Sequence, residues 1–174
     1  LPCFNRKAST RVLNEGIHAL YHFTDVSNLE SIAQLGLLSL QQLQSEEVPF
    51  TPGGNELSQQ LDQDNKLDDY VHLCLTPHHP MAHQAKDRGS ISDPRFLKIK
   101  PKVLDLPGVM ACMNVSVAAN AEIIPLETAL SNINWADWTN YWNDNSITGL
   151  EDFADNPMFK IEILIPKEIP KNFI

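Results

Sequence analysis

Hydrophobic and polar positions along this chain alternate in short stretches, and few segments keep a helical period for long. Residues 19–24 are aromatic and β-prone, which predicts a strand. Ser27 and Glu30 then stand at capping-box spacing, and Leu29, Ile32, Ala33 and Leu37 continue at helical intervals. A helix is predicted from there to Gly36, a residue suited to a helix stop. Residues 44–69 are polar, with Pro49, Pro52, Gly53 and Gly54, and predict a long loop of the kind that often carries function. Residues 70–75 read as a buried strand, 80–86 as a short helix, and 95–99 and 103–104 as strands. The apolar Ile123, Ile124 and Leu126 lead into a Trp-rich helical segment, and 159–166 alternates briefly before turning continuously apolar. The sum is an α+β fold with several short strands and few long helices. Residues 1–16 read as a weakly structured arm and 17–174 as the folded domain.

With 174 residues, 43% of them hydrophobic and 20% charged, the chain holds enough apolar material for one core. No apolar run is long enough to span a bilayer, and the first residues carry no apolar signal core. Cys3, Cys74 and Cys112 are too scattered for a metal knuckle and odd in number, which predicts reduced thiols in a cytoplasmic protein.

Charge changes the picture of partners. The 13 Lys and Arg face 22 Asp and Glu, a net charge of -9. A protein that grips long duplex DNA through many phosphates is usually basic, so the balance speaks against a repressor or chromatin role. A site for one or a few nucleotides stays open, because local charge decides it. Lys86, Arg88, Arg95, Lys98, Lys100 and Lys102 crowd one stretch, against Asp87 and Asp93. Further on the sign reverses, with Asp137, Asp144, Glu151, Asp152 and Asp155 before Lys160. Such a split is ordinarily two solvated surfaces; the sharper reading is that the basic stretch borders an anionic ligand.

The sequence has no P-loop, GxGxxG, HExxH or GxSxG motif. His79 and His83 share a helix face beside His78, but zinc needs a third ligand and no cysteine is near, so structural or surface histidines and no metal are expected. Three other features can carry chemistry. In Tyr21-His22-Phe23-Thr24 a histidine sits between aromatics, and Thr24 points to the same strand face as His22. A neutral imidazole both donates and accepts, so the pair is either a polar patch on an apolar wall or a core histidine satisfied by backbone. Glu162 lies between Ile161 and Ile163: buried, it needs a partner or a use, while on an edge strand it points to solvent. Trp135, Trp138 and Trp142 recur at helical spacing beside Tyr141, as a core stripe or as a platform for stacking bases.

The order of these features resembles one family. Tyr21-His22-Phe23-Thr24, then Asn28-Leu29 and a helix ending at Gly36-Leu37, resembles the opening motif of the DarT-type ADP-ribosyltransferases. Asp69-Tyr70-Val71-His72-Leu73-Cys74-Leu75, followed by His79-Pro80-Met81, is similar to the family's central strand and its Pro-Met sequel. The run from Phe159 to Pro166 is similar to the closing strand that holds a catalytic glutamate. The resemblance covers about residues 17–174. It implies an ADP-ribosyltransferase-like fold, a split antiparallel sheet with a central NAD-binding cleft. It implies a mono-ADP-ribosyltransferase that moves ADP-ribose from NAD to a nucleobase in single-stranded DNA. Such enzymes are bacterial toxins or phage-defence effectors with a macrodomain-type antitoxin. By the resemblance Glu162 is catalytic, and His22, Phe23, Thr24, Asn28, Ser31, Leu38 and Tyr70 bind NAD, with no metal and no membrane involved. A carboxylate suits that role because breaking the nicotinamide–ribose bond develops an oxocarbenium-like cation. The segment 131–158 is expected to choose the acceptor, with Trp135, Trp138, Asn140 and Trp142 toward the base and Lys86 and Arg88 toward phosphate.

The family's usual Arg before the central strand is missing here. The segment reads Glu56-Leu57-Ser58-Gln59-Gln60-Leu61-Asp62, and no Arg occurs from 12 to 87. Gln59 or Gln60 stands in its place, and glutamine supplies no cation. Transfer to RNA or protein, and NAD binding without transfer, stay open as alternatives.

Overall fold

Short alternating segments become strands by pairing with partners distant in sequence. In the computed structural model, which describes residues 7–116, 118, 120–143 and 157–174, these are β1 (Leu20–Asp25), β2 (Leu37–Leu38), β3 (Tyr70–Cys74), β4 (Pro94–Ile99), β5 (Met110–Cys112), β6 (Ile123–Pro125), β7 (Glu162–Pro166) and β8 (Glu168–Ile169). Six of them form one antiparallel sheet in the order β4-β1-β3-β7-β5-β6, and β2 pairs with β8. β4 follows β1 through six register pairs and β7 follows β3 through five, but β1 and β3 share a single one, Tyr21 with Cys74. The sheet therefore parts between β1 and β3. Across the gap the His22 Nδ1 lies 2.9 Å from the His72 carbonyl oxygen. This is the split antiparallel architecture that the resemblance implied.

The strands flanking the split separate packing from chemistry by their alternation. Val71 and Leu73 on β3, Ile163 and Ile165 on β7 and Ala111 on β5 join one apolar core. Helices α1 (Ala8–Asn14), α6 (Leu126–Asn132) and α7 (Trp135–Asn143) feed that core through Val12, Ala129, Leu130 and Trp138. The residues between them, His72 and Cys74, Glu162 and Leu164, and Cys112, share the opposite face, with Cys74 and Cys112 both in register with Glu162. No helix among the described residues is long and apolar enough to cross a membrane.

Several local expectations need correction. The arm expected over 1–16 contains α1, whose Ala8 and Val12 are buried and whose Ser9 is tied by amide and hydroxyl to Asp105. Two apolar residues four apart suffice there because a distant carboxylate fixes the helix start. The Ser27 capping box does not form. A 3-10 turn over Val26–Asn28 comes first, capped by Asp25, and α2 (Leu29–Leu35) follows. Gly36 does end that helix, at φ +90°, and a Cβ there would stand 2.5 Å from the Ile169 carbonyl oxygen. The long loop expected over 44–69 carries α4 (Glu56–Asp64), and its start is the end of α3 (Leu40–Ser45), capped by Ser39. The strand expected at 103–104 is a 3-10 turn over Pro101–Asp105, begun by a proline with no amide to give a ladder. The helix after His79, α5, runs over Pro80–Asp87.

Candidate active site

The wall of the site starts at β1. The Asp25 carboxylate accepts from the Ser27 amide at 2.9 Å and from the Ser92 amide and hydroxyl and the Asp93 amide at 2.7 to 3.2 Å. These donors, the Ser27 amide first, hold its carboxyl well below the usual carboxylate range. The anchored turn aims Asn28 at two elements. Its Nδ2 donates to Thr24 Oγ1 at 3.0 Å and to the Thr51 carbonyl at 2.8 Å, and its Oδ1 accepts from the Thr51 amide at 2.8 Å. Asn28 thus clamps the 48–54 loop over β1. Thr24, accepting from Asn28, keeps its own hydroxyl hydrogen to give. Between β1, α2, this loop and β3 lies a cavity of about 230 Å³.

Glu162 closes the inner end of that cavity. It is 6% exposed, on a strand flanked by β3 and β5, so the edge-strand reading falls. Its Oε2 lies 3.2 Å from His72 Nδ1 and accepts from the Ser116 amide at 3.3 Å, while Oε1 lies 3.5 Å from His79 Nε2. Burial pushes this carboxyl up, but the His72 hydrogen bond and charge, with help from His79 and Ser116, outweigh it and the net shift is downward. Glu162 is therefore an anion at neutral pH. Burial also pushes the His72 imidazole down, and there too the Glu162 bond and charge win, aided by Asp62 and the Leu67 carbonyl, to about 9. His22 and His79 are instead lowered, in both cases chiefly by burial. Asp62 is pushed up to about 6 by burial first, and its Oδ1 has no hydrogen-bond partner.

All eight residues expected at the NAD site and for catalysis line this one cavity: His22, Phe23, Thr24, Asn28, Ser31, Leu38, Tyr70 and Glu162. None of the expected acceptor residues whose side chains are described, Trp135, Trp138, Lys86 and Arg88, lines this cavity. The Trp138 ring is buried in the apolar core, and Trp135 meets it edge-on at 6.5 Å and donates from Nε1 to the Leu130 carbonyl. Trp138 is thus a core residue, with 5% of its surface exposed. The side chains of Asn140 and Trp142 lie outside the described residues. Lys86 and Arg88 are exposed at the C-terminal end of α5, where cations suit the helix dipole, and neither lines the cavity. Of the rest of the basic stretch, Arg95 and Lys98 lie on β4, an edge strand, with Arg95 paired to Asp93, while Lys100 and Lys102 follow it, with Lys102 paired to Asp105. Cations on an edge discourage pairing with another sheet.

A family profile described as "ssDNA thymidine ADP-ribosyltransferase, DarT" matches residues 21–174. The chain belongs to the DarT family. Its fold recurs in Thermosipho africanus DarTG in complex with ADP-ribose, at a TM-score of 0.67 and 17% identity over 90% of this chain and 42% of that one. It recurs in Thermus sp. 2.9 DarT in complex with ADP-ribosylated ssDNA, at 0.64 and 21% over 91% of this chain and 79% of that one. The same Thermus protein in complex with NAD+ gives 0.59 and 20% over the same shares. This chain thus spans less than half of the Thermosipho africanus chain. No curated protein sequence matches it.

Against this DarT frame, the residues that sequence reasoning missed are His72, His79, Ser116, Asp62 and Thr51. His79 caps α5, its Nδ1 accepting from the Met81 amide, and is 1% exposed. Its His83 neighbour has a buried Nε2 without a hydrogen-bond partner, and no cluster of His, Cys, Asp or Glu among the described residues is arranged to hold a metal. The one signal in the sequence was phase. His72 sits two residues before Cys74, so both face one side of β3. That this side also carries Glu162 follows from register alone.

Proposed function

We propose that this protein transfers ADP-ribose from NAD to a nucleobase of single-stranded DNA, thymine in the first place. The observation that carries the reading is the ionised Glu162, buried at the inner end of a cavity whose other wall offers His22 and Thr24. His22 Nδ1 faces a carbonyl oxygen, so that nitrogen bears the proton and Nε2 is left to accept from a ribose hydroxyl. Thr24 donates beside it. The bond between ribose C1 and the nicotinamide nitrogen breaks, its electron pair leaving with neutral nicotinamide. The cation left on the ribose is stabilised by the Glu162 carboxylate, whose Oε1 is not engaged in a short hydrogen bond. A base nitrogen then attacks C1, and its proton passes to water. The family to which the chain belongs and the ADP-ribosylated DNA held by the Thermus relative support the acceptor. The same reading makes the protein a cytoplasmic toxin or phage-defence effector, countered by a macrodomain-type antitoxin.

The test offers labelled NAD to separate pools of single-stranded DNA, RNA and protein. Label in thymine-containing DNA, lost with Glu162→Gln, is the expected result. Label confined to RNA or protein overturns the acceptor, and NAD binding with no label in any pool overturns the transferase.

A further inference from the structure

A buried carboxylate needs a counter-charge, and the cavity around Glu162 has neither lysine nor arginine among its described lining residues. His22 and His72 of the lining and His79, 3.5 Å from Glu162, remain, and their hydrogen bonds separate them. His22 Nδ1 donates to the His72 carbonyl, which accounts for one proton of a neutral ring. His79 Nδ1 accepts from the Met81 amide, so its single proton is on Nε2. His72 differs from both. Its Nε2 lies 3.3 Å from the Leu67 carbonyl oxygen and its Nδ1 3.2 Å from Glu162 Oε2, two groups that can only accept. The Ser116 hydroxyl, 3.3 Å from Nδ1, can accept a share of the same proton. A lone pair on Nε2 would face those of the Leu67 carbonyl, and one on Nδ1 would face the Glu162 carboxylate with only the Ser116 hydroxyl to donate to it.

We propose that His72 is the resident cation of this site: an imidazolium that ties Glu162 through Nδ1–H and the Leu67 carbonyl through Nε2–H, and so keeps the carboxylate ionised and aimed at the ribose. The proposal rests on the transferase reading for what Glu162 does, but not for the charge of His72. His72 acts through Glu162 and is a positioning residue. The groups around it agree on the sign. Glu162 on β7 and Asp62 on α4 are acids that favour the cation, while His22 on β1 and His79 ahead of α5 are pushed toward the neutral form chiefly by burial. Its side chain is 28% accessible and lines the cavity, so the charge is also within reach of a bound anionic ligand.

The charge is read directly by side-chain nitrogen NMR of histidine-labelled wild-type protein. Near neutral pH His72 is expected to show protons on both nitrogens, and His22 and His79 on one each. A neutral His72 in the folded protein overturns the proposal whatever the enzyme does. His72→Asn gives the second readout, because its amide can replace the Nδ1–H donor but not the charge. Transfer by this variant is expected to fall on the order of tenfold or more in kcat with little change in KM for NAD. The acid limb of its pH profile should move up by about one to three pH units as Glu162 loses its cation. An unmoved acid limb and unchanged kcat would show that the amide suffices and overturn the positioning role. If wild-type protein transfers nothing, the transferase reading fails, and the NMR result still decides the charge.

Discussion

The two faces of strands β3 and β7 differ by a shift of one residue and do different work. On one face Val71, Leu73, Ile163 and Ile165 pack into the apolar core. On the other, His72 and Glu162 meet at 3.2 Å beside Cys74 and Cys112, and the nearest cover is a cavity. The dry face fixes the register, because slipping β7 by one residue would bury Glu162 among isoleucines and expose their side chains to the cavity. That register in turn lets His72 face Glu162. Stability is thus built on odd residues of β7 and the proposed chemistry on an even one, and substitutions on the two faces should separate cleanly.

The largest effect should come from the core side. Trp138→Ala removes a buried ring from the core and is expected to cost about 3–5 kcal/mol of stability. Chemical denaturation of wild type and variant measures it. Transfer per folded molecule should change little. If instead stability holds and DNA binding weakens by about 1–3 kcal/mol, Trp138 stacks on a base and its placement in the core is wrong.

The next effect belongs to the opposite face. Glu162→Gln keeps the shape and removes the anion, so kcat should fall on the order of 10²-fold or more. NAD affinity should move far less, since positive charge on the ribose grows only as the bond breaks. His22→Ala is the complement: it removes an acceptor that meets the ligand before reaction, and NAD affinity should fall while the fold stays. Titration of NAD into both variants checks the contrast, which collapses if His22→Ala binds NAD as well as wild type.

How much of this contrast the sequence could reveal depended on the range of the forces. Alternation around His22 and around Glu162 is local, and it found β1 and β7, which carry His22, Phe23, Thr24 and Glu162 of the cavity wall. The cap on the turn before α2 was misread because Asp25 outcompetes Ser27 only with the help of amides at Ser92 and Asp93, far along the chain. Helix α3 was missed because its face is Gln-rich and its start is set by Ser39, not by apolar period. β5 has three residues, too few to alternate visibly. His72 was in view as a strand residue, yet its partner is ninety positions away and only the β3–β7 register joins them.

A smaller, pH-dependent effect sharpens the site face. His72 is raised from its ordinary 6.5 to about 9, so its bond to Glu162 stabilises the fold fully below the lower value and ceases to do so as pH rises past the higher one. Glu162 is lowered from 4.5, so its share is present above that value and is lost as pH falls. The stability gap between wild type and His72→Asn should therefore be widest between those limits and narrow on the alkaline side. In melting temperature each kcal/mol of gap is worth about 2–4 °C for a chain of this size. A gap that persists unchanged into strong alkali would mean that His72 packs there as a neutral ring.

The smallest effect expected is at Lys86 and Arg88, which lie outside both faces. They are exposed at the end of α5 and line no part of the cavity, so under the proposed function the contribution expected of them is reach toward phosphates of the strand that carries the acceptor base. A contact of that kind releases counterions. The slope of log affinity against log salt should drop by about 0.7 for each cation removed from a single-strand complex. Lys86→Ala with Arg88→Ala should thus weaken DNA binding modestly, and more at low salt than at high. KM for NAD should be unchanged, because neither charge touches the pocket. Binding isotherms of a thymine-containing oligonucleotide across a salt series give the slope for wild type and variant. An identical slope would leave these two cations as helix-end charges favoured by the dipole of α5, and the DNA path would then have to run over other parts of the protein.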